Sequence, residues 1–387
     1  MKKILIVTRS MYKNGGVESS LLNLLDEVGS MYDIDVLAFA ISNDYKDKLK
    51  KKANIIETNR WLELLGKEQS YYSKKDIFYY IRFLLVIFCR FFGNSLVLKY
   101  VLNSAKIKKH YDVAISYIQA ASKFALSDGN NQFVIDYILS DEKMVFIHSD
   151  YEHENFNNSY HNNLYKRFDK IVTVSENCKK KIIKCVPDLA SKIYVVHNFY
   201  SIDKIKNESK LFVPNYDKNK MNFVTVARLS EEKGILRMLD VLRRLKNKKN
   251  FVWNIVGNGN QYEEIVNKIN TYHLQDYVIL YGEQNNPYPY ILNSDLLIVC
   301  SKYEAAPMVI GEAQILNVPV LSTDTLSANE QIQNNITGLI CENSENGLYD
   351  MLSNILENHS ILDKISNNLS NYLNDNSKQL EEFKNII

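Results

Sequence analysis

The sequence predicts an α/β protein with two doubly wound, Rossmann-like domains, each a parallel sheet covered by helices. Short apolar, β-rich runs alternate with helical patterns along the chain. The 387 residues are too many for one ordinary core. The polar stretch 201–220, which contains Pro214, separates two series of predicted strands. We therefore predict domains at residues 1–200 and 221–365, joined by a linker at 201–220.

The individual strands are predicted from short, nearly continuous apolar runs, because helices cover both faces of a parallel sheet. Such runs predict strands near residues 3–8, 34–40, 112–117, 144–148, 170–174 and 193–197, and near 222–227, 252–257, 277–281, 295–300, 318–322 and 338–341. Predicted helices between them include 16–28, 177–185, 233–246, 260–272 and 308–316. The last residues, from about 344, also have a helical pattern.

The composition is that of a globular protein, with 46% hydrophobic and 24% charged residues. The net charge of +2 hides an asymmetry, because residues 1–205 contain 30 Lys and Arg against 23 Asp and Glu. This basic part has no recognisable nucleic-acid-binding motif, so we predict no nucleic-acid partner. An anionic membrane surface or a lipid diphosphate is the favoured partner.

The five cysteines are odd in number and form no C-x-x-C pair, which indicates reduced thiols. Met1 leads directly into a strand, without the pattern of a signal peptide. Both features predict a protein in the cytoplasm or at the inner face of the cell membrane.

The segment 77–92 is strongly apolar but short for a membrane span. Arg82 and Arg90 would each cost about 2.5–3.5 kcal/mol at a bilayer centre, which argues against a transmembrane helix. Two interpretations remain open: a core helix of the first domain, or an interfacial helix that contacts an anionic membrane through residues 71–109.

Two glutamates, Glu304 and Glu312, lie eight positions apart where a predicted strand gives way to a helix. Pro307 suits the first turn of that helix, because a missing N–H is no loss there. Backbone N–H groups at Met308 and Val309 would then form an anion site at the positive end of the helix dipole. A phosphate site between two carboxylates suits a nucleotide-sugar.

The stretch Glu304–Glu312 resembles the E-x7-E signature of the retaining family 4 glycosyltransferases. Further segments resemble that family in the same order: a strand and Gly-Gly loop at Met1–Glu18, a G-R-L-x-x-x-K-G element at Phe223–Gly234, a strand and glycine turn at Trp253–Gly259, and closing strands at Val318–Ser322 and Asn335–Ile340. The resemblance implies the GT-B fold, two Rossmann-like domains that face each other across a cleft. It also implies that a C-terminal helix at about 366–387 crosses back to the first domain.

In that family, residues matching Arg228 and Lys233 bind the donor diphosphate. Two cations there can neutralise the charge that develops on the leaving nucleotide, so no metal and no cofactor are expected. The D-x-D sequence Asp33-Ile-Asp35 opens a predicted strand and is interpreted as structural. By the same resemblance, Glu304 holds the transferred sugar and Glu312 the nucleotide ribose.

The remaining predicted site residues also come from the resemblance. The turn Tyr281, Gly282 and Glu283 matches the part of the family that contacts the base. Gly15 and Gly16 allow a close approach of backbone to ligand. His148, at a strand end, matches a histidine near the reacting centre, although a lone histidine there is often structural. The predicted catalytic residues are thus Arg228, Lys233, Glu304 and His148, and the nucleotide-sugar-binding residues are Gly15, Gly16, Arg228, Lys233, Tyr281, Gly282, Glu283, Glu304, Pro307, Met308, Val309 and Glu312.

The implied function is a retaining hexosyl transfer from a nucleoside-diphosphate sugar, UDP by family frequency, to a glycan or lipid-linked acceptor of a cell-surface polysaccharide such as a capsule. The alternative is a non-catalytic GT-B partner subunit of a glycosylation complex. A nicotinamide-dependent oxidoreductase is disfavoured, because no complete G-x-G-x-x-G follows the first strand. Departures from the family pattern, such as Ala227 and Ala305-Ala306, affect the expected sugar specificity more than the expected activity.

Overall fold

The computed structural model describes residues 1–12, 15–246, 250–372 and 375–387. Within these ranges the chain divides into two compact units. The first unit consists of Met1–Phe199 with Asn376–Ile387, and the second of Tyr200–Asp375. Each unit contains one parallel sheet surrounded by helices, which confirms the predicted fold class.

In the described part of the first unit, seven parallel strands form the order β3-β2-β1-β4-β5-β6-β7. They are β1 (Lys3–Met11), β2 (Asp33–Ile41), β3 (Asn54–Ile55), β4 (His110–Ser116), β5 (Leu139–Ile147), β6 (Lys170–Thr173) and β7 (Ile193–Val195). The strand order reverses between β1 and β4, and open sheets bind ligands at the carboxyl ends of the strands beside such a point. The sequence did not predict β3, which pairs with β2 over two residues and is too short for a pattern.

The helices between these strands are α1 (Gly16–Val28), α2 (Asn43–Lys50), α3 (Arg60–Gly66), α4 (Ile77–Phe92), α5 (Ser95–Asn103), α6 (Asn130–Tyr137), α7 (Ser159–Tyr165) and α8 (Glu176–Cys185). Alternate side chains of β1 enter opposite halves of the core. Leu5 and Val7 pack on one face of the sheet and Ile4 and Ile6 on the other, as the period of two requires.

The second unit has, in its described residues, a six-stranded parallel sheet in the order β10-β9-β8-β11-β12-β13. Its strands are β8 (Met221–Val226), β9 (Phe251–Val256), β10 (Val278–Gly282), β11 (Leu296–Val299), β12 (Val320–Thr323) and β13 (Leu339–Cys341). Its helices are α9 (Ile202–Glu208), α10 (Ile235–Leu245), α11 (Tyr262–Thr271), α12 (Tyr288–Leu292), α13 (Met308–Ile315), α14 (Ala328–Gln331), α15 (Glu345–Glu357) and α16 (Ser360–Ser370). Here the order reverses between β8 and β11, the two strands that precede the predicted donor residues.

Two predicted boundaries were wrong. Residues 201–220 are not a free linker, because they begin the second unit and contain α9, whose Ile205 is buried in its core. The stretch 366–387 is not one crossing helix. Ile365 and Leu369 hold α16 in the core of the second unit, and only α17 (Ser377–Ile386) belongs to the first.

The last helix is attached to the first unit by apolar and charged contacts. Phe383 is fully buried and its ring meets that of Tyr32 edge-on at 6.1 Å. Glu382 accepts a hydrogen bond from the backbone N–H of His197 at 3.0 Å and pairs with its imidazole at 2.9 Å. These contacts give α17 a defined position beside the end of β7.

The apolar segment 77–92 forms α4, and it is not the core helix that one interpretation expected. Arg82 and Cys89 face the protein, whereas most of the large apolar side chains of α4 are exposed. No helix among the described residues is long and apolar enough to cross a membrane.

Candidate active site

The predicted donor residues of the second unit lie at the carboxyl ends of adjacent strands. Arg228 and Lys233 follow β8, and Glu304 follows β11, the neighbour that pairs with β8. Because parallel strands end at one edge of the sheet, residues more than 70 positions apart meet at the reversal point.

A direct ion pair joins the segment that follows β8 to the segment that follows β11. The Lys233 ammonium lies 2.6 Å from Oε1 of Glu304, and both side chains are largely buried, with 22% and 12% exposure. The hydroxyl of Ser301 donates to the same oxygen at 2.7 Å. The ammonium and the carboxylate are thus held in one place before any ligand arrives.

The backbone around Lys233 is fitted closely to the end of β11. Gly234 has a φ of +69°, and a Cβ there would stand 2.0 Å from the carbonyl oxygen of Cys300. The guanidinium of Arg237 donates to that carbonyl at 2.7 and 2.9 Å and to the carbonyl of Ser301 at 2.7 Å. Glycine and arginine together therefore fix the distance between the Lys233 turn and the Glu304 loop.

Arg228 is placed by a different carboxylate. Its guanidinium lies 2.9 Å from Oε1 of Glu232, which also accepts a hydrogen bond from Ser230 at 2.5 Å. Burial raises the pKa of Glu232, but the hydrogen bonds from Ser230 and Arg228 outweigh it and hold the pKa below its ordinary value. The Arg228 side chain remains 68% exposed and presents its guanidinium to solvent. Glu232 was not predicted, although a carboxylate four residues after Arg228 was a signal in the sequence.

The helix that follows Glu304 begins at Met308, as predicted, but Pro307 precedes its first turn instead of lying in it. Pro307 has an extended conformation, with φ −67° and ψ 121°, and acts as the N-cap, so Met308 is the first helical residue. Met308 and Val309 lie at the helix start, where backbone N–H groups lack acceptors within the helix. The side-chain amide of Gln331 donates to the Pro307 carbonyl at 3.2 Å and fixes this end of α13.

Glu312 lies one turn inside α13, and other residues of the protein surround its carboxyl group. Burial raises the pKa of Glu312 to about 7, and the positive charge of Lys204 opposes the shift. Tyr200 packs against the adjacent Gly311 so closely that a Cβ there would stand 2.4 Å from its hydroxyl. Lys204 and Tyr200 were not predicted, because they lie about 110 positions from Glu312 and no spacing pattern connects them.

We expect Glu312→Gln to stabilise the protein above pH 7. Between about pH 4.5 and 7 the native carboxyl keeps a proton that the unfolded chain has lost. The stability present below pH 4.5 is therefore lost as the pH rises through 7, by as much as about 3 kcal/mol. Urea unfolding should show a higher midpoint for the variant at pH 8 and equal midpoints at pH 4.5. The exposed Glu283→Gln is the control, and equal midpoints of wild type and Glu312→Gln at pH 8 would disprove the burial of this carboxyl.

The predicted base-contacting turn ends β10. Gly282 has a φ of +69°, and its carbonyl accepts a hydrogen bond from Gly257 at 2.8 Å. The Tyr281 ring packs 4.8 Å from that of Tyr290, and Glu283 is exposed. Gly257 itself has a steric role, because a Cβ there would stand 1.8 Å from the Ala227 carbonyl oxygen.

In the first unit, the predicted glycines and histidine lie beside β1 and β5. Gly15 is the N-cap of α1 and Gly16 its first residue, and a Cβ on Gly16 would meet no atom within 4 Å. Asn14, part of the same predicted loop, lies outside the described residues. Glycine at position 16 is therefore not required by packing within this unit.

His148 follows β5 and is a neutral, enclosed imidazole. Its ring lies 4.9 Å from Tyr117 and 5.9 Å from Phe146. Burial lowers the pKa of His148 to about 4, and a hydrogen bond with the backbone of Tyr117 opposes the shift only partly. In the described residues Nε2 is buried and has no hydrogen-bond partner. This nitrogen can accept a hydrogen bond, but the ring cannot act as a cationic acid near neutral pH.

Two further polar residues have structural roles. Asp150 pairs with Lys181 at 2.9 Å and caps the turn after β5. Burial raises the pKa of Asp35, but hydrogen bonds from Lys109, Tyr111 and Asn54 outweigh it and hold the pKa below its ordinary value. The D-x-D sequence therefore has a structural role at the start of β2.

The predicted site residues thus fall into two sets, one in each unit. Within the second unit the fold brings Lys233 and Glu304 into contact and places Arg228 on the same strand edge. Glu312 is positioned by its own neighbours on α13. His148, Gly15 and Gly16 belong to the first unit.

Comparison with known proteins shows what this chain is similar to. Residues 206–376 match the family model described as glycosyl transferases group 1. An uncharacterized glycosyltransferase of Methanocaldococcus jannaschii is 32% identical over 176 residues, which cover 43% of either chain. A Campylobacter jejuni N-acetylgalactosaminyltransferase, named for a diphospho-undecaprenol-linked substrate, is 25% identical over 223 residues, 57% of this chain and 59% of its own.

The curated relatives are matched over about half of their length or less, between 28% and 59%. Solved structures extend the similarity to the whole fold. Anabaena HepE in complex with UDP-glucose has a TM-score of 0.70 and 18% identity, and the match covers 100% of this chain and 99% of the other. The fold is therefore GT-B.

Proposed function

We propose, from the match of residues 206–376 to the group 1 glycosyltransferases, that the chain transfers a hexose from a nucleoside-diphosphate sugar to a glycan or lipid-linked acceptor. We further propose retention of the anomeric configuration and catalysis without a metal. The product would be part of a cell-surface polysaccharide, such as a capsule, assembled on the cytoplasmic side of the membrane.

One observation carries the proposal: Lys233 and Glu304 are paired at the reversal point of the second sheet, beside the exposed guanidinium of Arg228. A diphosphate next to Lys233 would lie near two cations, Lys233 and Arg228, at the same edge of the sheet. The sugar attached to it would meet the carboxylate of Glu304, which accepts hydrogen bonds from hydroxyl groups. The charged diphosphate would thus lie beside the two cations, and the neutral sugar would lie beside the carboxylate.

The reaction breaks the bond between the anomeric carbon and the phosphate oxygen and forms a bond from the acceptor oxygen to the same carbon. In a front-face route the leaving phosphate oxygen takes the acceptor proton, so charge is balanced without a protein nucleophile. Arg228 and Lys233 would stabilise the negative charge on the leaving diphosphate as it develops. Because both side chains are positioned before the donor binds, little reorganisation is needed.

The other predicted contacts complete the donor site. N–H groups of Met308 and Val309, after Pro307, would donate to the sugar or diphosphate. Glu312 would accept hydrogen bonds from the ribose, and the turn Tyr281, Gly282 and Glu283 would contact the base. The neutral Nε2 of His148 would accept a hydrogen bond from a sugar hydroxyl, and Gly16 leaves room for a ligand beside α1.

A thermal-shift screen with UDP, GDP, ADP and NAD tests the proposal. UDP is the first choice, since it is the nucleotide of the donor in the HepE complex, and we expect it to raise the melting temperature where NAD does not. Donor hydrolysis in the presence of EDTA, with release of the free sugar, would then identify an enzyme that needs no added metal. Nucleotide binding without any hydrolysis or transfer would favour a non-catalytic partner subunit. Stabilisation by NAD alone would contradict the proposal.

A further inference from the structure

The helix α4 and the start of α5 expose an extensive apolar surface on the first unit. Its members are large apolar side chains that are each 36% to 78% exposed: Ile77, Tyr80, Phe83, Leu84, Val86, Ile87, Phe88, Phe91, Phe92, Leu96 and Tyr100. We call these residues the α4–α5 surface. Single exposed apolar residues are ordinary, but a contiguous group of this size marks a contact with something other than water.

The rotation of α4 about its axis is fixed from inside, by polar contacts. Arg82 is 6% exposed, and its guanidinium donates to Ser127 at 2.8 Å and to Gln69 at 3.4 Å. Cys89 is fully buried two turns further along the same side. The helix therefore keeps Arg82 against the protein and most of its large apolar side chains outward, the reverse of an ordinary surface helix.

The segment that carries this surface has charge of one sign, and Asp76, the N-cap of α4 just before it, pairs with Arg60. Between Ile77 and Tyr111 the sequence contains six Lys and Arg and no Asp or Glu. Arg82 is buried and Lys109 pairs with Asp35 at 2.7 Å. The other four are exposed: Arg90, Lys99, Lys106 and Lys108. An apolar surface with a cationic border matches the chemistry of an anionic lipid bilayer.

A second copy of the chain fits this surface less well. A symmetric dimer would bring the same patch of both copies together, so the cations of one copy would face those of the other. Exposed Phe, Leu and Ile side chains of a surface helix can instead enter the acyl boundary, while Arg90 and Lys99 reach the headgroups.

We propose that the α4–α5 surface docks this protein on an anionic membrane, with α4 lying in the plane of the interface. The binding combines insertion of apolar side chains, Leu84 and Phe91 among them, with attraction between the basic residues and acidic headgroups. It does not depend on the proposed sugar transfer, since it uses residues of the first unit that are distant in sequence from the donor site.

Flotation of the full chain with vesicles tests this docking. We expect binding to vesicles of phosphatidylcholine with 30% phosphatidylglycerol, and at least tenfold weaker binding to phosphatidylcholine alone. The double variant Leu84→Gln/Phe91→Gln, at positions 64% and 74% exposed, should lose at least tenfold in binding at any salt concentration. Arg90→Gln/Lys99→Gln should bind more weakly at low salt and show less salt dependence.

The matched control is Leu211→Gln/Val213→Gln, two apolar residues of the second unit that are 71% and 73% exposed and that should leave binding unchanged. Wild-type binding by the Leu84/Phe91 variant, or no binding by the wild type, would overturn the proposal. If light scattering shows that the wild type is a dimer and that the Leu84/Phe91 variant is a monomer, the surface would be assigned to contact with a second copy instead. Nucleotide-induced stabilisation, measured on the same preparations, reports separately on the proposed sugar transfer.

Discussion

Replacing Lys233 with alanine is expected to lower the rate of sugar transfer by about 10²–10³-fold. In the proposed mechanism, the substitution removes a cation that faces the developing charge of the leaving nucleotide, while Glu304 keeps its hydrogen bond from Ser301. Arg228→Ala should have a similar effect, because we propose that its guanidinium binds the same diphosphate. Transfer or donor hydrolysis at saturating donor measures the loss.

The matched control for Lys233→Ala is Lys302→Ala. Lys302 pairs with Glu231 at 2.9 Å on the surface of the same region, and both side chains are exposed. This variant should keep the wild-type rate. Urea unfolding of each variant verifies that the second unit is folded. Wild-type turnover by folded Lys233→Ala and Arg228→Ala would disprove the roles assigned to both cations.

Gly234→Ala is expected to destabilise the second unit by about 3 kcal/mol or more. Two effects add at this position. An alanine with a φ of +69° is strained by about 1–2 kcal/mol, and its Cβ would stand 2.0 Å from the Cys300 carbonyl oxygen, so the backbone must move. That movement displaces Lys233 from Glu304, so activity should fall together with stability.

Gly282→Ala separates the two effects. Gly282 has the same φ of +69°, but a Cβ there would meet no atom within 4 Å. The urea midpoint of the Gly282→Ala variant should therefore fall only by the amount that backbone strain causes. Gly16→Ala has neither effect, since the same space is open there, and should unfold like the wild type. Equal midpoints for Gly234→Ala and Gly282→Ala would contradict the close fit between the Lys233 turn and β11.

The strands were predictable because buried parallel strands carry an apolar signal along their whole length. Twelve were predicted, and the described residues add β3, whose two residues cannot carry such a signal. The apolar pattern of 77–92 did not predict the orientation of α4, because its polar side consists of one buried arginine among many apolar residues. What faces inward there depends on Ser127 and Gln69, which are distant in sequence.

The site was predictable where a residue follows a strand. Lys233 and Glu304 were expected to converge because the resemblance gave both a role at the donor, and a predicted strand precedes each of them. The surroundings of Glu312 were not predictable, since Tyr200 and Lys204 approach it only through the fold. The prediction of a linker at 201–220 was wrong for a related reason. The segment is mostly polar, so its sequence did not indicate that Ile205 packs in the core and holds α9 there.

The central claim is that Arg228 and Lys233 bind the diphosphate of a nucleotide. Calorimetric titration of wild type, Lys233→Ala and Lys302→Ala with UDP and GDP tests it most directly, without an acceptor. We predict that one nucleotide binds wild type and Lys302→Ala equally, and binds Lys233→Ala at least tenfold more weakly. Equal affinity for all three proteins, or no binding of either nucleotide to the wild type, would contradict the claim.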